Sequence, residues 1–180
     1  MERTEIRLTG AGGQGLILGG IILAEAAAIY DGLNAIQTQS YGPEARGGAS
    51  KAEVIISSEE IDYPKVTSPD ILLAMNQEAF QKYSAGLKSD GMLIIDSTYV
   101  ETEAPKSGQF YSIPITEIAR AEVGRTIVAN IVAMGVIVGL TGIVSREALE
   151  KAVLRRVPKG TEELNRKALE AGFKAAEKVK

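Results

Sequence analysis

Ile6-Arg7-Leu8-Thr9-Gly10-Ala11-Gly12-Gly13-Gln14-Gly15 reads as a strand that ends in a glycine-rich turn and passes straight into a helix. The glycines at 10, 12 and 15 satisfy G-x-G-x-x-G, with a further one at 13. Missing side chains let a backbone or a phosphate approach, and turn N–H groups point outward at a helix N-terminus. A dinucleotide site also needs an acid about twenty residues on, at the end of the second strand, to hold a ribose hydroxyl. The second strand, Asn34 to Ser40, offers Gln, Thr and Ser instead, and Asp31 falls in the turn before it. The fingerprint is half present, which predicts no useful NAD affinity.

Three readings of Gly12, Gly13, Gln14 and Gly15 stand: anion binding, close packing of strand on helix, and approach of another subunit. Gln14 is set apart because nothing in turn formation calls for an amide there, so it is a candidate to bond a ligand or a partner backbone. Gln37 and Gln39 share one strand face at period two and are candidates to line the cleft beside the turn.

The segment after the second strand is Tyr41-Gly42-Pro43-Glu44-Ala45-Arg46-Gly47-Gly48. Turn chemistry accounts for Gly42, Pro43 and Gly47. It does not call for Tyr41, Glu44 and Arg46 beside them. A guanidinium on a glycine-flanked loop can grip a carboxylate or phosphate with two parallel bonds. The plainer alternative is a solvated Glu44–Arg46 pair, which is weak.

G-A-G-G-Q-G-L-I-L-G-G (10–20) followed by Q-T-Q-S-Y-G-P-E-A-R-G-G-A-S (37–50) resembles the gamma subunit of 2-oxoacid:ferredoxin oxidoreductases. Within that family it is similar to the 2-oxoglutarate branch; the pyruvate branch generally carries a loop closer to F-F-G-x-E-R-R-G-A-P-V. The resemblance covers nearly the whole chain, and the second motif is the more specific. It implies one gamma-type domain over residues 1–180. It also implies a subunit that supports coenzyme A-dependent oxidative decarboxylation, with electrons passed to ferredoxin. Thiamine diphosphate is then held chiefly between the alpha and beta subunits, and iron–sulfur clusters in beta or a small ferredoxin-like delta subunit. The 41–48 loop is expected to face the assembled active-site region. The alternatives are a stand-alone phosphate- or nucleotide-binding regulatory module, or the equivalent subunit of a pyruvate, ketoisovalerate or indolepyruvate enzyme.

Composition points the same way. The 180 residues contain no Cys and no His, so thiolate ligation of a cluster, a Ser–His triad and a histidine metal site are excluded within this chain. A net charge of −3 gives no electrostatic case for nucleic-acid binding. The apolar run Ile127 to Leu140 is short for a bilayer and broken by Asn130 and glycines. With no basic, then apolar, leader at the N-terminus, a cytoplasmic protein is expected.

Strands at 5–9, 34–40, 52–57, 70–75, 91–96 and 109–113 alternate with helices at 15–30 and 76–86. This predicts a Rossmann-like, mainly parallel sheet with helices on both faces. Helices at 115–122, 126–140, 145 onward and 162–179 predict a helical C-terminal portion. Asn130 sits inside the most apolar of these. An unpaired amide there would cost about 1–3 kcal/mol, so a structural bond from Asn130 to a loop carbonyl near the strand ends is expected.

Overall fold

A computed structural model describes residues 2–41 and 48–180, the side chains of Ser40 and Tyr41 excepted. Six strands form one sheet: β1 (Thr4–Ala11), β2 (Asn34–Tyr41), β3 (Ala49–Ser57), β4 (Ile71–Ala74), β5 (Met92–Asp96) and β6 (Gln109–Ile113), in the order β2-β3-β1-β4-β5-β6. The pairings β1–β4, β4–β5 and β5–β6 are parallel. Those of β3 with β1 and with β2 are antiparallel.

The strand that follows the first helix is thus not the neighbour of β1. β2 runs in the same direction as β1, but β3 is inserted between them, with Thr9 opposite Lys51 and Lys51 opposite Ser40. The ribose-holding position of a dinucleotide fold is therefore displaced by one strand. The missing acid on β2 follows from the topology as well as the composition.

Side-chain alternation assigns the two faces. Ile6, Leu8, Ala52, Val54, Ile56, Ile71, Leu73 and Ile94 point into the larger core. Leu72, Ala74, Leu93 and Ile95 point into a smaller one with Phe80 and Phe110. The larger core is covered by α1 (Leu16–Glu25, widening into a π-type turn over Ala26–Tyr30) and by the helices of the C-terminal half. The smaller lies under α2 (Gln77–Tyr83). Helices lie on both faces, but very unevenly.

Arg7 explains why α2 stops three residues short of the expected Gly86. Its guanidinium pairs with Glu53 at 2.8 Å and donates to the carbonyls of Tyr83 and Ala85 at 3.2 and 3.1 Å. A cation there satisfies helix-end carbonyls that no backbone N–H reaches.

The C-terminal half comprises α3 (Ile115–Ile118), continued by a π-type turn to Val123, a 3₁₀ turn at Thr126–Val128, α4 (Ala129–Thr141), α5 (Arg146–Arg156) and α6 (Glu162–Val179). Every residue of α4 from Ala129 to Leu140 is buried, and it touches α1, α3, α5 and α6. Asp96, fully buried, accepts from Thr116 Oγ1 at 2.5 Å and from Thr98 N–H at 3.0 Å, tying the end of β5 to the start of α3. Ser145 caps α5 by accepting from Ala148 N–H, and Asp31 in turn accepts from the Ser145 hydroxyl and N–H.

Arg156 on α5 grips Glu25 at the end of α1 with Nε and a second nitrogen. These bonds hold the Glu25 carboxyl below its ordinary pKa; burial opposes them, and the charges of Arg156 and Arg155 add to them. A depressed carboxylate contributes stability that is present above the ordinary range and lost as pH falls through the depressed value. Arg156→Ala should therefore lower the urea midpoint at neutral pH, and the gap from wild type should close on acidification. A gap independent of pH would mean that the arginine acts through packing.

Candidate functional site

β1 and β4 are parallel neighbours whose following helices lie on opposite faces of the sheet. In doubly wound sheets the crevice at such carboxyl ends seats the ligand. Here Gln14 occupies it. Its Oε1 accepts from Ala11 N–H at 2.7 Å, and its Nε2 donates to the Met75 carbonyl at 3.1 Å. The side chain bridges the end of β1 to the residue after β4. The expectation that turn formation gives this amide no task is corrected, since both of its ends are engaged within the chain.

The glycines around it follow from packing. A Cβ at Gly10 would lie 2.5 Å from Gln14 Oε1 and from Leu16 Cδ1. Gly15 has φ +73°, a left-handed conformation that disfavours any side chain, and a Cβ there would lie 2.5 Å from Asn130 Nδ2. Gly12 N–H bonds the Gly48 carbonyl at 3.0 Å, and Ser50 Oγ donates to the Gly10 carbonyl. A donor that a pyrophosphate would use is thus already taken. The same bonds set Gly48 and Ser50, at the start of β3, against the turn.

Asn130, 6% exposed, donates from Nδ2 to the Gly15 carbonyl at 3.1 Å and accepts from Ile131 N–H. Its amide holds the turn onto α4. Asn130→Ala removes one of two donors from that carbonyl, which keeps the Gly19 N–H at 3.1 Å, and should cost about 0.5–1.5 kcal/mol in urea denaturation of the isolated chain; no measurable loss would show the bond to be replaceable.

Gly13 differs from its neighbours: a Cβ there meets nothing within 4 Å. With Gln14 and Gly15 it lines a groove of about 360 Å³, whose other walls include Leu18, Arg125, Ile127, Asn130, Leu164 and Asn165. The α3–α4 turn and the start of α6 supply residues that sequence reading did not connect with the motifs. Their one signal was an isoleucine, Ile127, placed at the edge of an apolar run.

Gln37 and Gln39 do share a face of β2, but they bond each other at 3.0 Å and do not line this groove. Gln37 instead lies against Gly20 of α1. Gly42, Pro43, Glu44, Arg46 and Gly47, with the side chain of Tyr41, lie outside the described residues.

Cluster iron needs thiolates, and the sequence has none. Among the described residues, no three carboxylate, histidine or cysteine side chains gather to hold a metal such as a diphosphate requires. The described residues fit neither group. No helix among the described residues is long and apolar enough to cross a membrane.

A family model described as pyruvate ferredoxin/flavodoxin oxidoreductase matches residues 5–175. The 2-oxoglutarate synthase subunit KorC of Methanocaldococcus jannaschii is 52% identical over 179 residues, covering 98% of this chain and 96% of its own. The crystal structure of a keto/oxoacid ferredoxin oxidoreductase gamma subunit from Geobacter sulfurreducens PCA matches with a TM-score of 0.90 and 57% identity, covering 99% of this chain and 98% of the other. The ketoisovalerate oxidoreductase subunit VorA of Methanothermobacter marburgensis is 33% identical over 98% of this chain, and there the match takes up 37% of a longer polypeptide. The chain belongs to the pyruvate ferredoxin/flavodoxin oxidoreductase family.

Proposed function

We propose that this chain is the gamma subunit of a 2-oxoacid:ferredoxin oxidoreductase acting on 2-oxoglutarate. The observation that carries the reading is the end-to-end likeness to 2-oxoglutarate synthase subunits, at 52% and 54% identity. The lower likeness to a pyruvate synthase subunit, 33% over 94% of the chain, ranks that substrate second. In the complete reaction a 2-oxoacid and coenzyme A give acyl-CoA and carbon dioxide, and the electron pair released goes to ferredoxin. Thiamine diphosphate and iron–sulfur clusters belong to the alpha, beta and ferredoxin-like delta chains, which matches a gamma chain without a thiol.

This chain's own share is structural and positional. Gln14 closes the switch-point crevice, and the bond from Gly12 to Gly48 holds the start of β3 against the turn. Arg46, on the Tyr41–Gly48 segment, is the residue proposed to reach a carboxylate or phosphate in the assembled cleft. Gly42, Pro43, Glu44 and Gly47 are proposed to belong to the same site. A cytoplasmic location accompanies the reading, since the acceptor, ferredoxin, is a soluble carrier.

The experiment is turnover of the co-expressed complex with coenzyme A and ferredoxin. Formation of succinyl-CoA with 2-oxoglutarate as the best substrate is expected. Preference for pyruvate or for a branched 2-oxoacid would move the assignment to another branch.

A further inference from the structure

The groove beside the glycine-rich turn has features that the internal tasks of the turn do not explain. Ile127 stands at its rim 76% exposed, the most exposed of the large apolar side chains recorded for the described residues. Leu18, Val128, Ile131 and Leu164 continue the apolar surface inward. Arg125, also exposed, forms no ion pair among the described residues, and no acidic side chain lines the groove. Gly13 leaves open space where any side chain would protrude.

Asn165 adds a directional element. It is 4% exposed, and its Nδ2 donates to the Thr161 carbonyl at 2.9 Å and to the Thr161 hydroxyl at 3.2 Å. A carbonyl accepts only from the amide nitrogen, which fixes the orientation of the side chain. Among the described residues no donor reaches its Oδ1, and no fully buried side-chain polar atom there is left unsatisfied. That oxygen therefore remains open to a donor entering the groove.

We infer that this groove seats an extended segment of a partner subunit of the same enzyme, carrying an apolar side chain beside a carboxylate and offering an N–H to Asn165. The inference rests on the gamma-subunit reading. The apolar side chain covers Ile127, and the carboxylate meets Arg125. A small molecule would leave a rim residue such as Ile127 in water, whereas a polypeptide surface covers it. A second copy fits poorly, because a two-fold contact sets the same patch against itself. Arg125 would then approach its own copy with no acid in the groove to answer it. The longer polypeptide of VorA, in which the matched unit is joined to further chain, fits a surface that other parts of the enzyme cover.

The test measures binding of the purified chain to the co-purified alpha–beta partner by mass photometry, with turnover of the mixture as a second readout. Ile127→Glu and Arg125→Glu should each raise the dissociation constant at least about tenfold, and Gly13→Leu should do the same by filling the open space. All three should leave the circular dichroism and melting of the isolated chain unchanged. Ile29→Glu, at an exposed apolar position outside the groove, should bind within about twofold of wild type. Unchanged affinity for Ile127→Glu and Arg125→Glu, with wild type assembling normally, overturns the inference and leaves the gamma-subunit reading intact. Unchanged assembly with a raised KM for one substrate overturns it in favour of a small ligand. Loss of a homodimer without loss of partner binding overturns it in favour of a second copy. Failure of the wild-type chain to bind alpha–beta at all overturns the reading and the inference together.

Discussion

Gly172→Ala is expected to destabilise the isolated chain by about 3 kcal/mol or more. A Cβ at Gly172 on α6 would lie 2.9 Å from Gly135 Cα, 3.0 Å from Val136 N and closer still to the Val132 carbonyl oxygen, all of them α4 backbone. Backbone in a fully buried helix cannot swing aside as a flexible side chain can, so the two helices must separate. The separation would spread, because α4 also touches α1, α3 and α5. Gly13→Ala is the matched control: its methyl meets nothing within 4 Å, and a change within about 0.5 kcal/mol is expected. Urea denaturation of both variants decides the matter. Equal midpoints would mean that α4 and α6 are not in backbone contact in solution.

The second large effect is expected at Arg46. If the segment between β2 and β3 faces the shared cleft, Arg46→Ala should leave the fold of this subunit intact and lower turnover or coenzyme A use of the complex by about ten- to a hundredfold, the loss of a charge-assisted bond of about 1.5–3 kcal/mol. Arg46→Lys should restore part of the activity if the contact is a two-pronged fork, because an ammonium supplies a point charge without the planar geometry. A solvated pair with Glu44 would instead cost at most about 1 kcal/mol of stability and leave the kinetics alone. Wild-type kinetics in an assembled Arg46→Ala complex would retire the active-site role. Failed assembly would place the residue at a subunit contact.

What could be read from residues alone followed from how local the signal was. Ile71–Ala74 and Met92–Asp96 announce strands covered on both faces, and they are the parallel centre of the sheet. The place of β2 was not legible in β2 itself, since a strand does not record its neighbour. The clue lay in its connection to β3. The strands read at 34–40 and 52–57 leave eleven residues between them, short of the dozen or more that a crossover takes, which favours an antiparallel pair, and it is that pair which pushes β2 away from β1.

The candidate site divides similarly. The glycines of the turn were legible as a place of close approach, but what approaches is Gln14, Leu16 and Asn130 from within the chain. Asn130 was legible because an amide in an apolar helix needs a partner, and Gly15 supplies it. Arg125, Ile127 and Asn165 were not, since the α3–α4 turn and α6 reach the glycine-rich turn only through tertiary packing more than a hundred residues along the chain.

This chain is, on the proposed reading, a required but non-autonomous part of a larger oxidoreductase. The most direct measurement is an omission assay, in which 2-oxoglutarate- and coenzyme A-dependent reduction of ferredoxin is followed with the alpha–beta partner alone, with this chain alone, and with both. The account predicts no reduction by this chain alone, little by the partner alone, and full turnover once the two are combined in stoichiometric amount. Reduction by this chain in a preparation shown by mass spectrometry to lack other subunits, or full turnover without it, would contradict the account.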